Sequence, residues 1–376
     1  MSNSHRKKLQ VVHVLPSLQQ GGAESIAAHI ITNLNAEKFK TAAIVFNDPT
    51  GSDLESLINN KKIDIFYAGS HIKGGLKFCL RIDNIIKKIK PDIVHTHLGG
   101  LLYSFPSIFL RRVPVKVHTV HNLARKEVNG KALLIYRLAY MSGVIPVAIS
   151  GAVKDSMTEV YGLRNFPVIP NGIPVDIYQN ANIKKPVWRS REGLKEEDII
   201  FVCVAGLRPQ KNHALLLEAF AKAASLNPNI RLLLVGTGET EPVIKTTAKN
   251  LGLSDKVKFL GLRTDVSDIL NASDIFVLSS KYEGDPLCIK EAMASSLPVI
   301  ATSVGGVSEI IVDNKTGLLI PDGDAIAFAN AIERMAKDPE MRKSMGSIAS
   351  HIAVEKFDVK LMVKAYEELY TRAMCG

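Results

Sequence analysis

Short, near-continuous runs of aliphatic and β-branched residues punctuate the chain at intervals of roughly 20–40 residues, with helical patterns between them. In the first half these runs predict strands at Leu9–Leu15, Thr41–Phe46, Ile63–Tyr67, Ile93–Thr96, Val115–Val120, Ile145–Ile149 and Pro167–Ile169. In the second half they predict strands at Ile199–Ala205, Arg231–Val235, Val257–Leu260, Ile275–Leu278, Val299–Ala301 and Gly317–Ile320. Most are apolar throughout and do not alternate, the mark of parallel strands covered on both faces. Strand–helix alternation along the whole length predicts an α/β fold of doubly wound sheets with right-handed crossovers. The pattern starts twice. After the run ending in Pro170-Asn171-Gly172 comes a stretch of little periodicity, Ile173 to Lys195, which holds the only tryptophan, Trp188; a new strand then opens at Ile199. That places a boundary at residue 172. Two such domains predict a ligand cleft at the carboxyl ends of their strands.

Composition narrows the class. A chain of 376 residues, 46% hydrophobic and 22% charged, is ordinary for a globular protein with two or three cores and excludes a disordered or fibrous one. The four cysteines, Cys79, Cys203, Cys288 and Cys375, form no CxxC pair, which argues against a disulfide framework or a zinc site and fits a reducing cytosol. The opening MSNSHRKKLQVVHVLPSL is basic and then briefly apolar; His13 and the Gly21-Gly22 pair make it a first strand and not a signal peptide. The most apolar stretch, Ala132 to Ile149, contains Arg137 and Pro146, so no spanning helix is expected.

The net charge of +10 is unevenly placed. Residues 1–172 hold 22 Lys+Arg against 11 Asp+Glu, and residues 173–376 hold 25 against 26. The basic residues gather at Lys61-Lys62, Lys73 to Arg81, Lys87 to Lys90, Arg111-Arg112 and Arg125 to Lys131. Two readings stay open: solvated helix faces, or a surface that attracts anionic lipid or a phosphate-bearing substrate. No helix-turn-helix, zinc-finger or RNP signature points to nucleic acid.

Three motifs carry candidate chemistry. Gly21-Gly22-Ala23-Glu24 follows strand 1 and precedes a helical run, so a ligand could approach the backbone closely at a helix N-terminus; it is not a dinucleotide fingerprint. Gly206-Leu207-Arg208-Pro209-Gln210-Lys211-Asn212-His213 puts two cations in a loop opening a helix, which suits a diphosphate. A glycine turn, Gly236-Thr237-Gly238, ends the next strand. The third motif, Tyr282 to Ala294, holds Glu283 in a Gly/Pro loop and Glu291 one turn into the helix that follows. Helix-terminal amides between the two carboxylates can hold phosphate, while the carboxylates accept hydrogen bonds from sugar hydroxyls. Each motif alone also fits an ordinary turn or a solvated side chain.

Together, GGAE, GLRPQKNH, VKFLGLRTDV, SSKYEGDPLCIKEAMA and LPVIATSVGGVSEIIVDNKTGLLI resemble the retaining nucleotide-sugar glycosyltransferases of family 4, over nearly the whole chain. The resemblance implies the GT-B fold, two Rossmann-like domains facing across a deep cleft. Residues 1–172 would bind the acceptor, residues 173–358 the nucleotide-sugar donor, and a last helix at about 359–376 would pack back on the first domain. It implies that Gly21 and Gly22 approach the donor diphosphate, Lys211 binds it, Arg263 and Val266 line the nucleobase pocket, and Glu291 binds the ribose. Glu283 would face the donor sugar, whose hydroxyls the amides of Gly284, Asp285, Pro286 and Leu287 would flank. His121 resembles the family's histidine near donor sugar and acceptor, and His97 would line the acceptor side; His95, His97 and His118 also fit ordinary core positions.

Three positions depart from the family pattern. Gly206 stands where the family arginine precedes the lysine by five, and Arg208 lies three before it. Asp285 replaces a common aromatic and could read a sugar hydroxyl or face solvent; Ser296 replaces a glycine. The expected reaction is transfer of a hexosyl or N-acetylhexosaminyl group, with retention, from a nucleoside-diphosphate sugar (UDP by family frequency) to a hydroxyl of a glycan, a lipid-linked glycan or a small molecule. No cofactor or metal is implied, and the Asp322-Gly323-Asp324 turn reads as a helix cap. The expected place is the cytoplasm, with peripheral contact at an anionic membrane. The alternatives are a non-catalytic sugar-nucleotide-binding protein and a sugar-nucleotide epimerase of the same fold.

Overall fold

The apolar runs are too short for buried helices and rich in β-branched residues, so they pair as strands and hand their polar termini to the loops. In the computed structural model, which describes residues 8–19, 21–69, 75–128 and 130–375, they build two parallel sheets. The first contains β1 (Leu9–Leu15), β2 (Phe39–Val45), β3 (Asp64–Tyr67), β4 (Ile93–His97), β5 (Val115–Val120) and β6 (Ile145–Ala148). The second contains β7 (Ile199–Val204), β8 (Ile230–Val235), β9 (Val257–Gly261), β10 (Ile275–Leu278), β11 (Val299–Thr302) and β12 (Gly317–Ile320). Their orders are β3-β2-β1-β4-β5-β6 and β12-β11-β10-β7-β8-β9. Counted from its own first strand, the second sheet repeats the order of the first. Each order reverses once, beside β1 and β4 in one sheet and beside β7 and β10 in the other, and loops diverge there to leave a crevice at the strands' carboxyl ends.

The chain divides into two compact units, residues 1–172 with Val359–Gly376, and Ile173–Asp358. The final helix, Val359–Cys375, belongs to the first unit because Tyr366 and Tyr370 bury their rings there. Each hydroxyl finds a partner: Tyr366 meets Thr119 Oγ1 at 2.8 Å and Tyr370 meets His95 Nδ1 at 2.6 Å. In the second unit one core wraps the sheet and includes Trp188.

Two expectations fail locally. Pro167–Ile169 is no strand but a single bridge from Val168 to Ala148, because Pro167 and Pro170 remove the amides that would extend the ladder. The stretch Ile173–Lys195 contains two short helices, Val175–Gln179 and Lys185–Arg191. Tertiary contacts hold them, which periodicity cannot report: Arg189 donates to Asp274 Oδ2 at 2.7 Å and to the carbonyl of Ala272 at 2.8 Å. Lys73 and the basic residues before Lys8 lie outside the described residues. Among the described residues no helix is long and apolar enough to cross a membrane.

Candidate functional site

The motifs of the second unit meet at the β7/β10 switch point. After β7, Arg208 is extended (φ −127°, ψ 156°), the conformation that a following proline favours, and Pro209–Lys211 forms a single 3-10 turn before the helix His213–Leu226. Arg208 folds back over Gly206: a Cβ at 206 would lie 3.5 Å from its Nε. The guanidinium arm of 208 thus covers the place where a side chain at 206 would begin. Gly236 and Gly238 are required by close approach, since a Cβ at either would stand 2.2 Å from the carbonyl oxygen of Ala205 or Leu207. The glycine turn after β8 is therefore packed directly on the cationic loop.

The loop after β10 is stitched to the same turn. Lys281 N–H donates to the carbonyl of Gln210 at 2.8 Å, Gln210 Nε2 donates to that of Tyr282 at 2.9 Å, and Ser279 Oγ donates to that of Lys211 at 2.9 Å. These bonds bring Lys211 and Glu283 together. Lys211 Nζ donates to Glu283 Oε1 at 2.6 Å, and Ser280 Oγ donates to the same oxygen at 2.6 Å. Burial alone would lower the Lys211 pKa, but the Glu283 carboxylate more than offsets it and raises the value above that of an ordinary lysine. Gly305, with φ +50° and room for no Cβ, lets the next loop close on Glu283, and Gly306 N–H donates to the Glu283 carbonyl at 3.1 Å. Three loops thus hold the pair, and Lys211 keeps part of its side chain exposed.

Glu291 lies one turn into the helix Leu287–Ala294, which opens after Pro286. Burial pushes its carboxyl up to about 7, against the opposing hydrogen bond from Tyr178. Asp285 takes neither expected setting. Its carboxylate is buried against Lys290, whose Nζ lies 2.6 Å from both oxygens and 5.0 Å from the Phe357 ring centre. The helix turn brings positions 285 and 290 together, and two buried opposite charges pair. Arg263 forms a fork on Asp265 with two 2.7 Å bonds and reaches Glu192 at 2.9 Å, so its guanidinium is committed within the unit; Val266 begins the next helix beside it. The Arg263 fork and the Trp188 indole hold the Asp265 carboxyl down at about 2. Asp324 caps a helix, accepting from Ile326 and Ala327 amides.

At the β1/β4 switch point of the first unit the chemistry is imidazole. His13 sits opposite His95 in the β1–β4 register, and His95 and His97 share one face of β4. His13 Nδ1 meets His97 Nε2 at 3.1 Å, and His97 Nδ1 meets His121 Nε2 at 3.0 Å. Burial drives all of these rings toward the neutral form: His13 falls to about 3, His121 to about 4, and His95 and His97 well below the usual histidine value. His97 corrects the sequence expectation. It has no exposed surface, so an acceptor cannot touch it; β4 is a central strand, and the rings of His13 and His95 cover it. His121 is half-buried, and the Glu127 carboxylate fixes its loop by accepting from the amides of His121 (2.6 Å) and Asn122 (3.0 Å). Gly21 is extended and precedes the helix Gly22–Asn33; a Cβ there would meet only the flexible Glu24 carboxylate, so the backbone does not require glycine.

Nitrogens of His13, His95 and His97 come within 4.8 Å of one another, the spacing of a metal site. Both nitrogens of His95, however, are engaged by the hydroxyls of Tyr370 and Thr119, at 2.6 and 2.7 Å. Hydrogen bonding therefore occupies His95 fully and leaves it no free nitrogen for a metal ion. Tyr178, Ser280, Lys290, His13 and Glu127 were not singled out from the sequence; each acts through a neighbour distant along the chain or within a helix turn, and no motif spacing marks them.

Comparison with known proteins agrees along the whole length. The model described as Glycosyltransferase Family 4 matches residues 20–177, and that described as Glycosyl transferases group 1 matches residues 184–351. The chain is 28% identical over 384 residues to the UDP-Gal:alpha-D-GlcNAc-diphosphoundecaprenol alpha-1,3-galactosyltransferase of Escherichia coli, covering 98% of each. It is 30% identical over 305 residues, 78% of this chain and 80% of the other, to a Bacillus subtilis (strain 168) protein with the provisional name glycosyltransferase EpsD. The crystal structure of Anabaena Alr3699/HepE in complex with UDP and glucose superposes with a TM-score of 0.87 at 21% identity, over 97% of this chain and 100% of that one.

Proposed function

We propose that this chain, which belongs to glycosyltransferase family 4, has the GT-B fold and uses a nucleotide sugar, transfers a hexosyl or N-acetylhexosaminyl group from a UDP-sugar to a hydroxyl with retention of configuration. The observation that carries this reading is the Lys211–Glu283 pair held at the β7/β10 switch point, with Glu291 one helix turn beyond. A lysine ammonium has three N–H donors; one goes to Glu283, and the others can serve diphosphate oxygens. Arg208, folded over Gly206, would add a second cation where charge develops on the departing β-phosphate. Glu283 would accept from hydroxyls of the transferred sugar, with the backbone N–H groups of Gly284, Asp285 and Leu287 and the ring of Pro286 beside it, and Glu291 from the ribose. The uracil would lie by Val266 and the aliphatic stem of Arg263, whose charge is already matched. Two cations and a helix N-terminus can balance the diphosphate without a metal ion. The leaving phosphate would take the acceptor's proton; the first unit would bind the acceptor, with His121 near the transferred sugar and acceptor, and Gly21 and Gly22 would approach the donor diphosphate.

The named relatives favour a UDP donor and a lipid-linked acceptor. A peripheral membrane setting has support in the first unit. Leu76, Leu80, Phe109, Leu110, Leu134, Leu138 and Met141 are exposed on three neighbouring helices, beside Lys77, Lys87, Lys88, Arg111 and Arg112. Anionic vesicles should sediment the protein at low salt and neutral vesicles should not; equal behaviour with both would remove the membrane part of the reading.

The transfer itself is tested by incubating the protein with UDP-hexoses and UDP-N-acetylhexosamines and a polyprenyl-diphosphate sugar, with and without chelator. Acceptor-dependent UDP release and an α-linked product by NMR are expected. Release of UDP without product, a product of inverted configuration, or interconversion of donors alone would overturn the proposal.

A further inference from the structure

The chain of imidazoles His13, His97 and His121 has a proton count that constrains its chemistry. Burial keeps all three rings neutral, so each carries one N–H, and the two nitrogen–nitrogen contacts each take one donor and one acceptor. Only two arrangements satisfy both contacts. In one, His13 Nδ1–H donates to His97 Nε2, His97 Nδ1–H donates to His121 Nε2, and His121 keeps its proton on Nδ1. In the other every proton runs the opposite way, and the outermost proton sits on His13 Nε2.

The inner end of the chain decides between them. His13 has no exposed surface, and its Nε2 has no hydrogen-bond partner. In the first arrangement that nitrogen is a bare lone pair, and in the second it is an orphaned N–H. Orphaned buried donors are rarer than under-satisfied acceptors, so the first arrangement wins. His95 cannot intervene, because hydroxyls of Tyr370 and Thr119 occupy its two nitrogens.

We propose that His13 and His97 are positioning residues that lock His121 as the Nδ1–H tautomer, so that His121 meets the substrate as a hydrogen-bond donor and not as a base. This rests on the reading above, in which His121 serves the transfer. The outward nitrogen of His121 is Nδ1, since Nε2 is turned to His97. A donor there can hold a sugar or acceptor oxygen, and the leaving phosphate remains the proton acceptor.

Two measurements test it. Protein labelled with 15N-histidine, with the His121 signals assigned through His121→Asn, reports which ring nitrogen is protonated. Protonated Nδ1 and bare Nε2 are expected at His97 and His121; an Nε2–H tautomer at His121 in the unmutated protein overturns the proposal. The second measurement is kinetic. His97→Met removes the donor to His121 and should lower kcat by about tenfold with KM changed less than about twofold, whereas His97→Gln, whose amide can still donate, should lose only about threefold. Equal losses in the two variants would mean that His97 only fills space, and would overturn it. If no transfer is found with any donor, the functional reading fails while the tautomer is still read directly from the spectrum.

Discussion

The two sheets share one strand order, and their switch points can be compared side by side. Beside β7 and β10 the side chains are ions in pairs, Lys211 with Glu283 and Lys290 with Asp285, set on loops and on the first turns of a helix. Beside β1 and β4 they are neutral rings, His13, His95 and His97, set on the strands themselves and sealed by Tyr366 and Tyr370 of the final helix. The scaffold is the same and the electrostatics are opposite. The loop leaves Lys211 within reach of a ligand, so the site there can neutralise a diphosphate, while Lys290 and Asp285 keep their charges in the interior only as a pair. A central strand removes water altogether, so only groups that can shed their charge survive, and histidine is the residue that does so with a polar handle left over.

The contrast is broken most severely at Lys290. Lys290→Met leaves the Asp285 carboxylate buried without its countercharge, and should cost about 3–5 kcal/mol in urea unfolding. Adding Asp285→Asn should recover most of this; if Lys290→Met alone costs under about 1 kcal/mol, the pair is solvated and the contrast is weaker than drawn.

At the neighbouring pair the effect should be catalytic. Lys211→Ala is expected to lower turnover by roughly 100- to 1,000-fold, and Arg208→Ala to approach that range, while UDP still binds in calorimetry. Near-full turnover of Arg208→Ala would make Arg208 a solvated loop residue and leave the leaving group to Lys211 and the amides.

Acidity sharpens the comparison, because the two regions respond with opposite sign. Glu291 is raised from the ordinary 4.5 to about 7, so the folded protein favours its protonated form, and that contribution is lost as pH rises through 7. Glu291→Gln should therefore be more stable than the unmutated chain above pH 7, by up to about 3 kcal/mol, with the gap closing toward pH 4. The histidines are lowered, so their contribution is full above 6.5 and disappears as pH falls toward 4 and 3. Urea titrations of both proteins across this range check the sign; a gap that grows on acidification would refute it.

The smallest expected effect lies behind the site. Ser296 has φ +60°, a left-handed conformation that a side chain resists. Ser296→Gly should raise the midpoint of unfolding, by roughly 0.5–1 kcal/mol in stability, with turnover unchanged.

Much of this was legible in advance for a physical reason: strands buried on both faces must be apolar along their whole length, so β1, β4, β7 and β10 declared themselves, and with them the loops that end them. The glycine turn Gly236–Gly238 stood out at a strand end, whereas the close approach that Gly305 permits came only with the structure. The order of the sheet strands and the motifs at their ends were therefore determined by the sequence alone, though not the single bridge at Val168 or the two short helices Val175–Gln179 and Lys185–Arg191. The pairings were not. That Asp285 turns to Lys290, that Arg208 lies over Gly206, that Tyr178 caps Glu291 and that His13 reaches His121 through His97 depends on the fold bringing atoms within hydrogen-bonding distance. Burial then decides which of them keep a charge. Such bonds act over about 3 Å and carry no periodicity, so only the tertiary structure could select them.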